Sequence, residues 1–276
     1  MSPIGPSYPG SNRPMPGYSK KNVFRPPEMV TIPGGKFDMG TSPDQIYQLL
    51  SREDWAQEWF DKDLFEVEQP YHSVEVAEFD ICRFPVTNQD YFFFVWESGY
   101  RAPRGWFGLH FPDGKGDHPV VGVSIKDTQA YIDWLNKKTK ETYRLPNEAE
   151  WEKASRGPDG RIYPWGNEFD PWRCNTDESG KRSTTSIGIY SPGGDSIYGI
   201  SDIIGNVFEW TSSLLLPYPF DPAQPTQPGQ PVRCVVRGGA WYYSQKLARC
   251  ACREGVLPDY VSPALGFRLA RSRPAR

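Results

Sequence analysis

The sequence has little histidine, an odd number of cysteines, no long apolar run and almost no surplus of charge. Each shortage excludes something. Five cysteines (Cys82, Cys174, Cys234, Cys250, Cys252) cannot all pair, which argues against a secreted disulfide framework and for reduced thiols. Three histidines (His72, His110, His118) lie scattered, with no helical pair to ligate a metal. No stretch approaches the ~20 apolar residues of a membrane helix, and the first residues lack the apolar core of a signal peptide. A net charge of −3 gives no general attraction to nucleic acid or anionic lipid. The expectation is a soluble protein, cytoplasmic or carried on a particle, without membrane insertion or nucleic-acid binding.

Turn-forming and aromatic residues are abundant instead. Gly 26 and Pro 28 predict short elements joined by many turns, and Trp 10 supplies large side chains for a core. Residues 1–28, rich in Pro, Gly and Ser, bury too little to fold alone and read as a disordered tail. One ordered domain is expected over 29–271, with 272–276 as a second tail. Its first part carries short helices. MVTIPGGKFDMG predicts a hairpin around Pro33-Gly34-Gly35, and residues 42–60 predict one helix capped by Ser42. A strand should span 71–84. Three more helices should follow caps at Thr87, at Ser124 or Asp127, and at Asn147, with the first of them stopping at Gly99. After Gly157 regular structure thins, and 214–231 reads as a Pro-rich surface excursion.

Residues 235–268 close the chain. Arg237-Gly238-Gly239 with Trp241 opens this stretch and Gly266-Phe267-Arg268 ends it, with an irregular, Tyr-bearing middle. Fixed ends around an irregular middle describe either a core closure or a binding face on a rigid scaffold.

Eight blocks in order resemble the sulfatase-modifying-factor family of formylglycine-generating enzymes: IPGGKFDMG, PVTNQDY, HPVVGVS, RLPNEAEWEKASRG, YPWGNEF, GNVFEWTSS, VVRGGAWY and LGFRLARS. The resemblance implies an α+β fold of the irregular C-type lectin-like kind, with short helices, small mixed sheets and much loop. The catalytic members hold copper on a cysteine pair just after RGG. The matching interval here, AWYYSQKLA, has no cysteine. Soft Cu(I) needs thiolates, so neither copper nor the iron of a second, His-ligated branch is expected. Cys250 and Cys252 would share one face of a strand. They read as small buried residues, with a soft-metal site as the alternative.

The RGG-Trp…GFR frame also resembles the variable proteins of diversity-generating retroelements, which use this fold for display. That likeness implies a non-catalytic protein binding a protein or other macromolecular ligand through its C-terminal face. The presumed contact residues are Trp241, Tyr242, Tyr243, Ser244, Lys246, Leu247, Glu254, Val256, Leu257, Tyr260, Val261, Ser262 and Ala264. Tyr suits the task because it gives large rigid contact area at low entropic cost. The alternative is an oxidoreductase or protein-modifying enzyme of this family with an altered site. The family's calcium loop falls on Asp202, Gly205, Val207 and Glu209. A structural ion there, with two carboxylates and two carbonyls, is one reading. Asp202 capping a turn while Glu209 pairs with an arginine such as Arg268 is the other.

Overall fold

The computed structural model describes residues 24–220 and 231–273. The predicted tail over 1–23, part of the 214–231 excursion and the last three residues lie outside the described residues.

Helix starts follow the local chemistry. The helices are α1 (Pro43–Arg52), α2 (Asp54–Asp61), α3 (Asn88–Ser98), α4 (Ile125–Thr139) and α5 (Glu148–Arg156). Ser42, Thr87, Ser124 and Asn147 each cap the following helix with a reciprocal capping box, which satisfies amide groups the first turn leaves unbonded. Asp127 is the partner in the Ser124 box rather than the cap itself. Gly99 ends α3 at φ 69°, a conformation that costs a glycine little. The single helix expected over 42–60 is two. Glu53 is extended, and its N–H bonds back to Leu49 O at 2.8 Å, which turns the chain so that Trp59 as well as Leu49 is buried.

The strands are β1 (Met29–Ile32), β2 (Gly35–Met39), β3 (His72–Val76), β4 (Phe79–Cys82), β5 (Tyr143–Arg144), β6 (Phe208–Leu214), β7 (Cys234–Arg237), β8 (Arg253–Val256), β9 (Leu265–Gly266) and β10 (Ala270–Ser272). They form sheets ordered β1-β4-β10-β5, β2-β3 and β8-β7-β6-β9. The expected hairpin at Pro33–Gly35 does not form. β1 pairs with β4, β2 pairs with β3, and the turn carries the chain from one sheet to another. A side chain at Gly34 would meet Glu78 N at 2.9 Å, so the crossover needs glycine. The strand expected over 71–84 divides at Ala77 into β3 and β4 for the same reason.

Three buried clusters fill the space between these layers. Trp151 and Trp210 are fully buried, and each indole N–H has a partner, Glu209 Oε2 at 2.8 Å and Val123 O at 3.0 Å. Phe24, inside the predicted tail, packs edge-on against Phe93 and Trp134, with Lys138 Nζ 4.9 Å from its ring centre. The tail therefore docks on α3 and α4 by residue 24. No helix among the described residues is long and apolar enough to cross a membrane.

Candidate functional site

Four arginines bolt the closing stretch to the body. Arg237 pairs with Glu152, Arg249 bidentately with Glu68 at 2.7 and 2.8 Å, Arg253 with Glu148 at 2.7 Å, and Arg268 bidentately with Glu209 at 2.7 Å. All eight side chains are buried. Charge pairs taken out of water need excellent geometry and further hydrogen bonds. They have them: Arg237 also donates to the Ala251 and Cys252 carbonyls, and Arg268 to the Cys82, Arg83 and Ser201 carbonyls. These pairs fix both ends and the middle of 235–268, and only the Arg268–Glu209 pairing was legible beforehand.

Between the bolts the chain faces outward. Trp241, Tyr242 and Tyr243 are half-buried and in contact in sequence, Trp241 edge-on to Tyr242 at 4.8 Å between ring centres and Tyr242 tilted on Tyr243 at 4.4 Å, and Tyr243 packs edge-on against Phe208 at 5.3 Å. Burial and the neighbouring Tyr242 hydroxyl hold the Tyr243 phenol above its ordinary range. The Tyr242 hydroxyl lies 3.0 Å from Ser262 Oγ. Ser244 opens a 3-10 turn (Gln245–Leu247) that carries Lys246, and Leu247 reaches back to the core. Glu254 is exposed and Val256 half-exposed on β8, an edge strand, while Leu257 and Tyr260 stand out at 42% and 44% exposure.

The backbone at two expected contact residues serves the framework, although Ser262 still lines a cleft. Ser262 and Ala264 are buried. The Ser262 carbonyl accepts from Gly122 N at 3.0 Å and the Ala264 carbonyl from Phe208 N at 2.8 Å. This turn delivers the chain into β9 alongside Phe208, which leaves room only for small side chains. The Cys-x-Cys expectation also changes. Cys250 and Cys252 lie outside any strand, just before β8, and pack into different clusters. All five cysteines are buried and unpaired. Burial pushes the Cys82, Cys174 and Cys250 thiols up to about 12 and Cys252 well above its usual value. Such thiols are poor nucleophiles and poor metal ligands.

The side chains at the family's calcium loop do not fit an ion as they stand. Both Glu209 oxygens accept from Arg268, and one also from Trp151. Asp202, in a left-handed turn at φ 52°, accepts from Gly188 N, and the Gly205 carbonyl accepts from Val207 N at 2.8 Å. A cation at Glu209 would sit against the guanidinium. Burial pushes the Asp202 carboxyl up to about 6, against the pull of Gly188 N–H and Arg268, with Asp195 and Glu209 adding to the rise.

Beside the aromatic ladder a cleft of about 450 Å³ opens. Trp241, Val261, Ser262 and Pro263 of the closing stretch line it together with Arg104, Trp106, Lys115, Ser183 and Thr184. Trp106 donates its indole N–H to Asn88 Oδ1 at 3.2 Å and Trp241 donates to Pro263 O at 3.3 Å. Both rings are thereby oriented with their donors used. A second cleft of about 480 Å³ adjoins the first and shares Arg104, Gly122 and Val261. The lining from Arg104, Trp106 and Lys115 was missed at the level of sequence. Residues 101–122 are a loop without period, and nothing in their order says that they fold across to Trp241.

This arrangement defines the class first: an α+β scaffold of the C-type lectin-like, formylglycine-generating type, with its site on loops held by a buried framework. The sulfatase-modifying factor enzyme 1-like domain matches residues 15–273, and the chain belongs to that family. It is 33% identical over 300 residues to the inactive C-alpha-formylglycine-generating enzyme 2 of Bos taurus, covering 88% of this chain and 87% of the relative. Its identity to the formylglycine-generating enzyme of Streptomyces coelicolor is 32% over 301 residues, covering 87% and 88%. Among solved structures, PvdO from Pseudomonas aeruginosa superposes with a TM-score of 0.72 at 25% identity, covering 95% of this chain and all of that one. Treponema denticola variable protein 1 gives 0.66 at 19% identity over 88% and 94%, a likeness of fold alone.

Proposed function

We propose that the protein is a non-catalytic binding protein that presents its C-terminal face, Trp241 to Val261, to a protein or other macromolecular ligand. The observation that carries this reading is the interval after RGG. Where the family's catalysts hold copper on cysteines, this chain places Trp241 in the wall of a cleft with the half-buried Tyr242 and Tyr243 following it, and its five thiols are buried elsewhere. Rigid half-buried aromatics at a cleft are suited to contact rather than to chemistry. Leu257 and Tyr260 extend the apolar surface beyond the ladder. A relative of comparable similarity carries the description inactive, which is consistent with family members that keep the fold without the reaction. The variable-protein reading adds that the outward positions are diversified while the arginine-bolted ones stay fixed.

Two measurements test this. The purified chain is incubated with copper, oxygen and a cysteine-containing peptide and followed by mass spectrometry, with no conversion of the cysteine to an aldehyde expected beyond that of a protein-free control. Turnover would replace the binding reading with the altered-enzyme one. For diversification, the neighbouring DNA should hold a near-copy of the segment encoding 241–264, with adenines at the outward codons and a reverse-transcriptase gene. If neither is there, diversification is withdrawn and binding stands on the first test.

A further inference from the structure

The cleft beside Trp241 has an unusual charge balance for this chain. The protein carries a net charge of −3, yet the cleft is lined by two cations, Arg104 and Lys115, and by no carboxylate. Lys115 Nζ touches only neutral acceptors within hydrogen-bond reach, Ser183 Oγ at 3.0 Å, Thr184 O at 3.2 Å and His118 Nδ1 at 3.4 Å. Its charge is anchored but not neutralised. Arg104 is exposed and makes no hydrogen bond or ion pair among the described residues. Elsewhere the pattern is the opposite: Arg237, Arg249, Arg253 and Arg268 each have a buried glutamate.

The apolar part of the lining is equally definite. Trp106 and Trp241 have committed their N–H groups to Asn88 and Pro263, so they offer a ligand ring surface and no donor. The remaining polar side chains of the lining are neutral: the hydroxyls of Ser183, Thr184 and Ser262, and the Asn88 amide, which already bonds Trp106 and the Lys115 carbonyl. A cleft of about 450 Å³ is of the size that takes a small organic group or a few residues of a larger ligand. A guanidinium recognises a carboxylate through a planar, two-pronged contact.

We propose that this cleft is selective for an aromatic carboxylate: a flat apolar ring held by Trp106 and Trp241, with the anion on Arg104 in the field of Lys115. The group is supplied either as a free small acid or as an acidic residue beside an aromatic one in a protein ligand. The proposal deepens the binding function above and rests on reading this face as the binding surface.

The test uses the full chain without added metal, titrated calorimetrically at low salt with N-acetyl-L-tryptophan and with its amide. The two probes differ only in the carboxylate. The acid should bind roughly tenfold more tightly than the amide, the effect of one charge-assisted contact. Arg104→Gln should bring the two probes together while leaving thermal unfolding unchanged, because Arg104 has no partner to lose. A blocked peptide, acetyl-Glu-Trp-Glu-amide, separates the sources: tighter binding than the free acid assigns the site to a protein ligand, and weaker binding to a small acid. Equal binding of acid and amide, no binding of either at millimolar concentration, or a preference that survives Arg104→Gln each overturn the proposal. Copper-dependent turnover of a cysteine peptide, by contrast, would overturn the non-catalytic reading while the charge preference remained measurable.

Discussion

Arg249 and Tyr260 lie eleven residues apart in one irregular stretch, yet they live under opposite rules. Arg249 is fully buried, bonded twice to Glu68 and surrounded by the rings of Trp55, Trp59 and Phe65. Tyr260 is 44% exposed, and its backbone N–H bonds only to the nearby Leu257 carbonyl. Buried framework contacts are thus concentrated at a few charged positions, and the residues between them carry few such constraints. A loop-rich surface can then be specific without regular structure beneath every residue.

The sharpest way to break this comparison is to remove one bolt. Arg249→Met leaves Glu68 charged and buried, and should cost about 3–5 kcal/mol in urea unfolding. Pairing it with Glu68→Leu should cost less than the single change, because no orphan charge remains. If the single change is as mild as one at Tyr260, the division into framework and display fails.

Asp202 comes next. Its carboxyl is pushed up to about 6 by burial, above its value in the unfolded chain. Between about pH 4 and pH 6 the folded state therefore holds the proton more tightly. Its contribution is full below that window and is lost as pH rises through it, up to about 3 kcal/mol. Asp202→Asn keeps an acceptor for Gly188 N–H and should gain stability relative to the natural chain at pH 7 but not at pH 4. Parallel pH profiles for the two proteins would remove this claim.

Ala264→Leu probes the corrected boundary. The site is closed by Phe208 and the turn into β9, so overpacking should cost about 1–3 kcal/mol; a neutral result would restore Ala264 to the displayed set. The smallest effect is expected at Leu257→Ser, within about 0.5 kcal/mol by thermal unfolding, with weaker ligand binding as its only marked consequence.

Much of the first half was legible because local signals decide it. Ser42, Thr87, Ser124 and Asn147 each act through a hydrogen bond three residues away, and Gly99 through its own backbone. What failed were pairings that local pattern does not encode. Pro33–Gly34 joins strands as readily across two sheets as within one, and only Glu78 packed beside Gly34 decides between them. The site divided in the same way. The aromatic ladder Trp241–Tyr243 was visible as consecutive residues, whereas Arg104, Trp106 and Lys115 reach it from more than a hundred residues away. The burial of Ser262 and Ala264 was not legible, because small residues look alike whether they line a surface or fill a turn. Apart from Arg268–Glu209, the arginine–glutamate bolts escaped notice because single charges in a loop carry no period, and a buried partner is a fact of tertiary structure.

The position of β10 has a further consequence. It is the last strand along this sequence, yet it lies inside its sheet, between β4 and β5. Without β10 that sheet is split, with β4 and β5 holding unmatched edges on either side of a gap. A stop codon anywhere in the segment that forms the outward face would leave the gap open and the chain exposed to degradation. The stretch that carries the outward residues is followed by the strand that completes a sheet, so a truncation inside the one also removes the other.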